Sequence, residues 1–159
     1  MQLRNANETD FDACLPLLQQ LWPFAKINGA DADFQVLQEI KDVFYRLLRN
    51  PATGIILAES DGQIIGFLDF TFRITLFYRG RAMIIEDLII DEKYRRRGIG
   101  TKLVRFAEEI AEKKDCYAIE LNSDLYRKET HHFWEAIGYE CKAYQYRKSI
   151  KKSKKIIMK

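Results

Sequence analysis

The stretch from residue 82 to residue 113 joins an apolar run, a short basic loop and an amphipathic repeat. The run AMIIEDLIID is apolar on both faces apart from Glu86 and Asp87, which is typical of a strand in the middle of a sheet. Residues 98–113 then place apolar side chains on one face at helical spacing. This stretch therefore predicts a central strand, a tight loop and a helix.

The remaining segments predict the other layers of the fold. Asp61–Gly62 is typical of a tight hairpin turn, and Thr9 followed by Asp12 resembles a capping box for the first helix. The predicted strands are 2–6, 55–59, 64–74, 82–91, 116–121 and 139–147, and the predicted helices are 10–22, one that starts at Asp31 or Asp33 and ends at Asn50–Pro51, 98–113 and 128–137. This order predicts a mixed sheet, with hairpins first and a β-α-β crossover after them.

Composition limits the class of protein. A chain of 159 residues with 47% apolar and 31% charged residues has the profile of a soluble globular domain. Its three cysteines, Cys14, Cys116 and Cys141, are sparse and unevenly spaced, which favours a reducing compartment. With neither a signal peptide nor a membrane span in the sequence, we expect a cytoplasmic protein.

The loop itself, RRRGIGT at 95–101, has the form of an anion-binding site. The first N–H groups of a helix have no partner within the helix, and the helix dipole adds positive charge there. Gly98 and Gly100 carry no Cβ, so that a diphosphate could approach the backbone closely. The alternative is a plain glycine turn before a helix, with arginines that face solvent.

Two other phosphate loops do not fit the segment. A dinucleotide-binding loop needs a third glycine, but Leu103 stands at that position. A Walker loop needs Lys and then Ser or Thr after its last glycine, whereas Gly100 is followed by Thr101 and Lys102. The common nucleotide-binding folds are thereby excluded.

The segment IEDLIIDEKYRRRGIGTKLV resembles the acetyl-CoA-binding region of the GNAT superfamily of N-acetyltransferases, whose pattern is R/Q-x-x-G-x-G/A. Arg95, Gly98 and Gly100 fill its fixed positions. Downstream, IELNSDLYRKETHHFWEAIGYE is similar to the family's next motif, which ends in F-Y-E-x-x-G-Y/F. The matching residues there are Phe133, Trp134, Glu135, Gly138 and Tyr139.

The resemblance implies an α/β (α+β) fold in a single domain. Its sheet would be central, mixed and mostly antiparallel, with helices on both faces. That domain would span residues 1–149, and residues 150–159 would form a lysine-rich C-terminal tail. A lysine run of this kind is usually solvated and has no aromatic stacking platform beside it, so we do not expect a nucleic-acid partner.

The resemblance also implies acetyl-CoA as cosubstrate and no metal. Backbone groups of residues 88–90 would pair with the pantetheine arm like an added strand, and those of residues 96–101 would hold the pyrophosphate. The cofactor-binding residues predicted in this way are Leu88, Ile89, Ile90, Arg95, Arg96, Arg97, Gly98, Ile99, Gly100, Thr101, Asn122 and Trp134. For Asn122, a cap of the following segment is an equal alternative.

Acetyl transfer to an amine needs a group that removes a proton, and Glu86 is the first candidate, with Asp87 second. A carboxylate on an apolar strand would be desolvated, which raises its pKa toward a useful range. A structural ion pair is the alternative role for Glu86. Many family members carry a tyrosine as general acid where this chain has Trp134, whose indole cannot deliver a proton. Tyr126, Tyr139 or a water could replace it.

The sequence therefore predicts an acetyl-CoA-dependent N-acetyltransferase acting on a primary amine of a small molecule or a peptide. The alternative, suggested by Trp134, is a CoA-binding regulatory module with little or no turnover. Many members of the superfamily are dimers, so a homodimer is one option, and the acceptor stays open because acceptor loops vary within one fold. His131 and His132 are adjacent on a helix and point about 100° apart, which argues against a shared metal.

Overall fold

Five strands and three helices form the first of two compact units in the computed structural model, which describes residues 1–21, 34–148 and 150. The first unit is Met1–Leu121, and the second begins at Asn122. In the first unit the strands are β1 (Gln2–Asn5), β2 (Thr53–Ser60), β3 (Gln63–Thr75), β4 (Gly80–Ile90) and β5 (Cys116–Leu121), and the helices are α1 (Phe11–Leu21), α2 (Phe34–Arg49) and α3 (Ile99–Lys113).

The strands form one sheet in the order β1-β2-β3-β4-β5. Neighbours are antiparallel from β1 to β4, and β5 is parallel to β4 because α3 carries the chain back across the sheet. The β2–β3 turn falls at Asp61 and Gly62, whose φ angles of 52° and 75° are those of a two-residue hairpin turn. The predicted mixed, mostly antiparallel sheet is confirmed.

Helices α1 and α2 cover one face of the sheet. Their apolar stripes meet alternate residues of the inner strands, since side chains along a strand point to opposite faces in turn. The buried members of this cluster are Phe11, Cys14, Leu17, Leu18, Phe44, Ile55, Leu57, Phe67 and Ile89. Cys14 is fully buried, and burial raises the pKa of its thiol to about 12, so this cysteine serves as a small apolar side chain.

Helix α3 covers the opposite face. Its Leu103, Val104 and Ala107 are fully buried. A glycine on β3 permits this close packing, since a Cβ at Gly66 would lie 2.9 Å from Leu103 Cδ1 and 3.1 Å from Ala58 Cβ. With α1 and α2 on the other side, the predicted arrangement of helices on both faces is confirmed.

The capping box of the first helical segment lies at Asn7 and Asp10, so the prediction from Thr9 and Asp12 is wrong. Asn7 Oδ1 accepts from the Thr9 N–H at 2.9 Å, and Asp10 Oδ2 accepts from the Asn7 N–H at 2.7 Å. The guanidinium of Arg4 also donates to both Asp10 oxygens at 2.8 Å, which lowers the pKa of that carboxyl. The acid that closes the cap is therefore also bound by Arg4 on β1, six positions earlier.

The second unit contains α4 (Lys128–Ala136), close to the predicted helix at 128–137. The last predicted strand, 139–147, is wrong, because these residues form no strand in the described part of the chain. The pattern that suggested it puts Tyr144 and Tyr146 on one face, but both are exposed. Alternation indicates a strand only where a neighbouring strand takes up its backbone hydrogen bonds.

Some predicted features lie outside the described residues. They are the end of the first helix at Trp22, the start of the second at Asp31 or Asp33, and the lysines from Lys151 onward.

One acidic side chain lies inside the sheet layer. Asp69 on β3 is only 7% exposed. Burial, and after it the nearby Asp87 carboxylate, raises the pKa of Asp69 to about 8. Its Oδ1 accepts from the Asp87 N–H at 2.9 Å.

This burial predicts a pH-dependent stability. The pKa of Asp69 is about 8 in the folded chain and about 3.9 in an unfolded one. The contribution of Asp69 is therefore fully present below about pH 4 and is lost as the pH rises through about pH 8. Relative to Asp69→Asn, the free energy of unfolding of the wild type should fall over this window, by at most about 1.4 kcal/mol per pH unit. Urea unfolding at a series of pH values measures it.

The matched control is Asp115→Asn, since Asp115 is exposed in the loop after α3. It should follow the wild-type pH curve. Parallel curves for the wild type and Asp69→Asn would contradict the prediction.

Candidate functional site

Strands β4 and β5 pair only along the first half of β4. Their register ends at Ile85 opposite Leu121, whereas β4 continues beside β3 as far as Ile90. Within the described part of the chain, β5 therefore pairs with no residue of β4 beyond Ile85. The free edge of β4 is the side of residues 88–90 that faces away from β3, in the segment Leu88, Ile89 and Ile90 that is predicted to bind the pantetheine arm.

A bulge marks the point of separation. The β3–β4 register pairs Asp69 with Asp87 and Phe70 with Ile85, which leaves Glu86 without a counterpart. A bulge locally increases the twist of its strand and ends regular pairing. The bulge lies next to Ile85, the last residue of β4 that pairs with β5, which itself ends at Leu121.

Glu86 is exposed, so the expectation that the apolar strand would desolvate it is wrong. The extra residue of the bulge turns its side chain toward solvent. No ion pair of Glu86 is found among the described residues, and the alternative role in a structural ion pair gains no support there. The desolvated carboxylate near the bulge belongs to Asp69, which sequence reasoning missed. Its only signal was a lone acid in the apolar strand IIGFLDFTF.

The basic loop after β4 is fixed by its own arginines. Arg95 Nε donates to the Ile90 carbonyl at 3.0 Å, and Arg97 donates to the Lys93 carbonyl at 3.0 Å. The Arg97 guanidinium also lies 5.2 Å from the centre of the Tyr94 ring. Two of the three arginines thus shape the loop, while all three side chains stay exposed.

Helix α1 is tied to the same loop through one glutamine. Gln20 Nε2 donates to the Asp91 carboxylate at 3.1 Å, and Gln20 Oε1 accepts from the Glu92 N–H at 3.2 Å. Asp91 also accepts from the Lys93 N–H at 2.9 Å. The start of the loop is therefore fastened to the sheet and to α1 together.

The loop ends in left-handed backbone before α3. Arg96 has φ 59° and Gly98, the N-cap, has φ 75°. No side chain caps the helix, so its first N–H groups are available to an anion, with the helix dipole behind them. A Cβ at Gly98 would meet no atom within 4 Å, which leaves open space at the cap.

In the second unit, Trp134 is a packing residue. It is 8% exposed, and its ring lies 5.0 Å from Phe133 and 5.1 Å from Tyr139, centre to centre. The Tyr139 N–H donates to the Trp134 carbonyl after a left-handed Gly138, φ 97°. This unit therefore places the rings of Trp134 and Tyr139, both residues of the second motif, in contact.

The other predicted residues of the second unit are more exposed. Asn122 directly follows β5 and is exposed, and Tyr126 is 65% exposed with the Arg127 guanidinium over its ring. His131 Nε2 lies 3.0 Å from the Asp124 carbonyl, while His132 faces Glu135. The roles predicted for Asn122, Tyr126 and Tyr139 stay predictions.

The described residues hold neither a cluster of metal ligands nor a membrane-spanning helix. No three His, Cys, Asp or Glu side chains there are grouped so that they could hold a metal ion. No helix in the described ranges has both the length and the apolar character that crossing a membrane requires.

Comparison with known proteins agrees with this geometry. Residues 14–139 match the model of the acetyltransferase (GNAT) family. An aminoalkylphosphonate N-acetyltransferase of Salmonella typhimurium is 25% identical over 94% of this chain and 91% of its own length. A glucosamine 6-phosphate N-acetyltransferase of Trypanosoma brucei brucei is 28% identical over 92% of this chain and 94% of its own.

A solved structure shares the fold. The aminoglycoside N-acetyltransferase AAC(6')-Iy in complex with CoA superposes with a TM-score of 0.76 at 20% identity, over 92% of this chain and 93% of that one. Most of the chain lies within the family match, and the free β4 edge and the uncapped α3 follow each other in the order of the first motif. The chain therefore belongs to the GNAT family of acetyltransferases.

Proposed function

We propose that the protein is an acetyl-CoA-dependent N-acetyltransferase that acetylates a primary amine of a small molecule or a peptide. The observation that carries the proposal is the free backbone edge of β4 beyond Ile85, which leads directly to the uncapped N-terminus of α3. An extended arm that ends in a diphosphate fits such a surface, because an edge binds amides and a helix N-terminus binds anions.

The backbone would hold the cofactor. In this proposal, the backbone of Leu88 and Ile90 exchanges hydrogen bonds with the pantetheine amides, while Ile89 between them faces β3. The N–H groups of residues 96–101 hold the pyrophosphate. Arg95 and Arg97 keep the loop in the required shape through the carbonyls that they bind. Arg96, whose side chain is exposed, supplies charge to the diphosphate. Asn122 and Trp134 remain predicted cofactor contacts.

The reaction would be direct attack of the amine nitrogen on the thioester carbonyl. A C–N bond forms, the C–S bond breaks, and the sulfur leaves as CoA thiolate. Glu86 accepts the proton of the amine through water, since its side chain is exposed beside the bulge and free to reach solvent. The thiolate needs little assistance with a thiol pKa near 8.5, and Tyr126 and Tyr139 are the candidates to protonate it.

The acceptor would be set by residues outside the cofactor-binding backbone. The two relatives act, by their names, on an aminoalkylphosphonate and on glucosamine 6-phosphate. Because β4 and the loop would recognise only the cofactor, the acceptor of either relative cannot be assigned to this chain. We propose a cytoplasmic protein, with a homodimer as one option.

The cofactor loop can be tested with two matched glycines. Gly98 and Gly62 both have φ 75°, and a Cβ would meet no atom within 4 Å at either. Alanine at each position should lower the free energy of unfolding by a similar amount, about 1–2 kcal/mol, through left-handed backbone strain. Only Gly98→Ala should also weaken CoA binding, by about tenfold, because strain at the cap redirects the N–H groups of α3. Isothermal titration with CoA measures this difference.

Equal CoA affinity in the two variants would contradict the assignment of the loop to the cofactor. A loss of CoA binding in Gly62→Ala would show instead that the effect comes from stability alone.

The activity can be tested by thiol release from acetyl-CoA against polyamines, aminoglycosides, amino acids and lysine peptides. We expect turnover with at least one amine class. Glu86→Gln should lower kcat by about tenfold to a hundredfold, because the carboxylate that takes the proton is lost. Its CoA affinity should not change. Glu109→Gln, on the exposed surface of α3, is the control and should match the wild type.

CoA binding without thiol release from any amine would support the regulatory module instead. Equal kcat values in Glu86→Gln and the wild type would remove Glu86 from the chemistry and leave the enzyme assignment in place.

A further inference from the structure

The placement of Asp69 calls for a physical reason. Two residues earlier on β3, Phe67 lies opposite Ile89, and both are in the apolar cluster beneath α1 and α2. Asp69 and Asp87, the next pair on that face, continue the same alternation. Desolvating a carboxyl group is costly, and an apolar side chain of similar size would avoid that cost. We therefore expect a hydrogen-bond donor that requires the carboxyl oxygen of Asp69 as its acceptor.

The donor is the backbone N–H of Asp87. The Asp91 N–H donates to the Ile65 carbonyl at 3.0 Å, so the backbone groups of Asp91 face β3. In an antiparallel pair every second residue faces the partner strand, and the Asp87 N–H, four residues before Asp91, therefore also faces β3. There the bulge displaces the backbone by one residue. The carboxyl oxygen of Asp69 reaches across and accepts this N–H at 2.9 Å.

We propose that Asp69 is a positioning residue that fixes the β4 bulge and so sets the course of the cofactor-binding edge of β4 beyond it. Its hydrogen bond lies immediately after Glu86, at the point where β4 stops pairing with β5. The residues beyond it, 88–90, are the ones assigned to the pantetheine arm. The role of that edge rests on the proposed function, whereas the hold on the bulge does not.

An acceptor oxygen is the chemical requirement, and charge is secondary. Both the protonated and the ionised carboxyl group can accept through Oδ1, and so can the side-chain oxygen of asparagine. Alanine has no acceptor and would leave the Asp87 N–H without this partner. The two substitutions therefore separate a positioning role from a role as proton acceptor in the reaction.

The experiment compares Asp69→Asn and Asp69→Ala in the full chain, with Thr71→Ala as control. Thr71 lies two residues along the same face of β3, opposite Ile84. Amide hydrogen exchange measured by NMR reports on the bulge, and titration with CoA reports on the edge. We expect Asp69→Ala to exchange the Asp87 amide about tenfold faster or more and to bind CoA about tenfold more weakly. Asp69→Asn and Thr71→Ala should keep both properties, and the Asp91 amide should be unaffected in all three.

Other results would overturn the inference in distinct ways. Wild-type exchange and CoA affinity in Asp69→Ala would show that the bulge holds without Asp69. Loss of kcat in Asp69→Asn, with exchange and CoA affinity unchanged, would make Asp69 part of the chemistry. If Asp69→Ala does not fold, Asp69→Ser replaces it, and an Asp87 amide as protected in Asp69→Ser as in Asp69→Asn would also count against the proposal, since the shorter hydroxyl cannot span the bulge.

These readouts keep the proposal separate from the proposed function. Should the wild type fail to bind CoA, the proposed function would be wrong. The exchange of the Asp87 amide would still decide whether Asp69 holds the bulge.

Discussion

The backbone of β4 must find hydrogen-bond partners along its whole length, and it finds them on both sides only as far as Ile85. Beyond the bulge at Glu86, β4 still pairs with β3 on one side, but on its other side it no longer pairs with β5. Arg95 binds the last carbonyl of that segment, at Ile90. The groups that remain are suited to a ligand that carries its own amides. The side chain of Ile89 stays in the core and those of Leu88 and Ile90 are partly buried, so a cofactor that binds the backbone need not disturb this packing.

The loop after β4 depends mainly on short-range geometry, and the sequence could predict it. Left-handed backbone at Gly98 and contacts from Arg95 and Arg97 to nearby carbonyls are properties of neighbouring residues. The predicted start of α3 differs from the observed one by a single residue, because a glycine at the cap marks it. The link from Gln20 to Asp91 spans 71 positions, and no local pattern predicts such a contact.

Features set by strand register could not be predicted in the same way. Strict alternation would point Glu86 and Asp87 to opposite faces, but one extra residue in β4 leaves Glu86 exposed and brings Asp87 opposite Asp69. A bulge depends on which residue of β3 lies across from it, and that pairing comes from the fold as a whole. The same limit applies to residues 139–147, where the predicted strand does not form. The sequence shows Asp69 as a single acid in the apolar strand β3, but it does not show that the Asp87 N–H is its hydrogen-bond partner.

Carboxylates near the bulge create opposing demands on the proposed chemistry. Negative charge holds an ammonium acceptor nearby, yet it also favours the protonated amine, which cannot attack, and it opposes build-up of negative charge on the leaving sulfur. The placement of Asp69 and Glu86 reduces both effects of negative charge, on the amine and on the leaving sulfur. Burial raises the pKa of Asp69 to about 8, which favours its neutral form, while its oxygen still binds the Asp87 N–H. Glu86 is exposed, where water screens its charge and can carry the proton away. The bulge therefore gives Asp69 and Glu86 different environments, since Asp69 is buried opposite Asp87 and Glu86 is exposed.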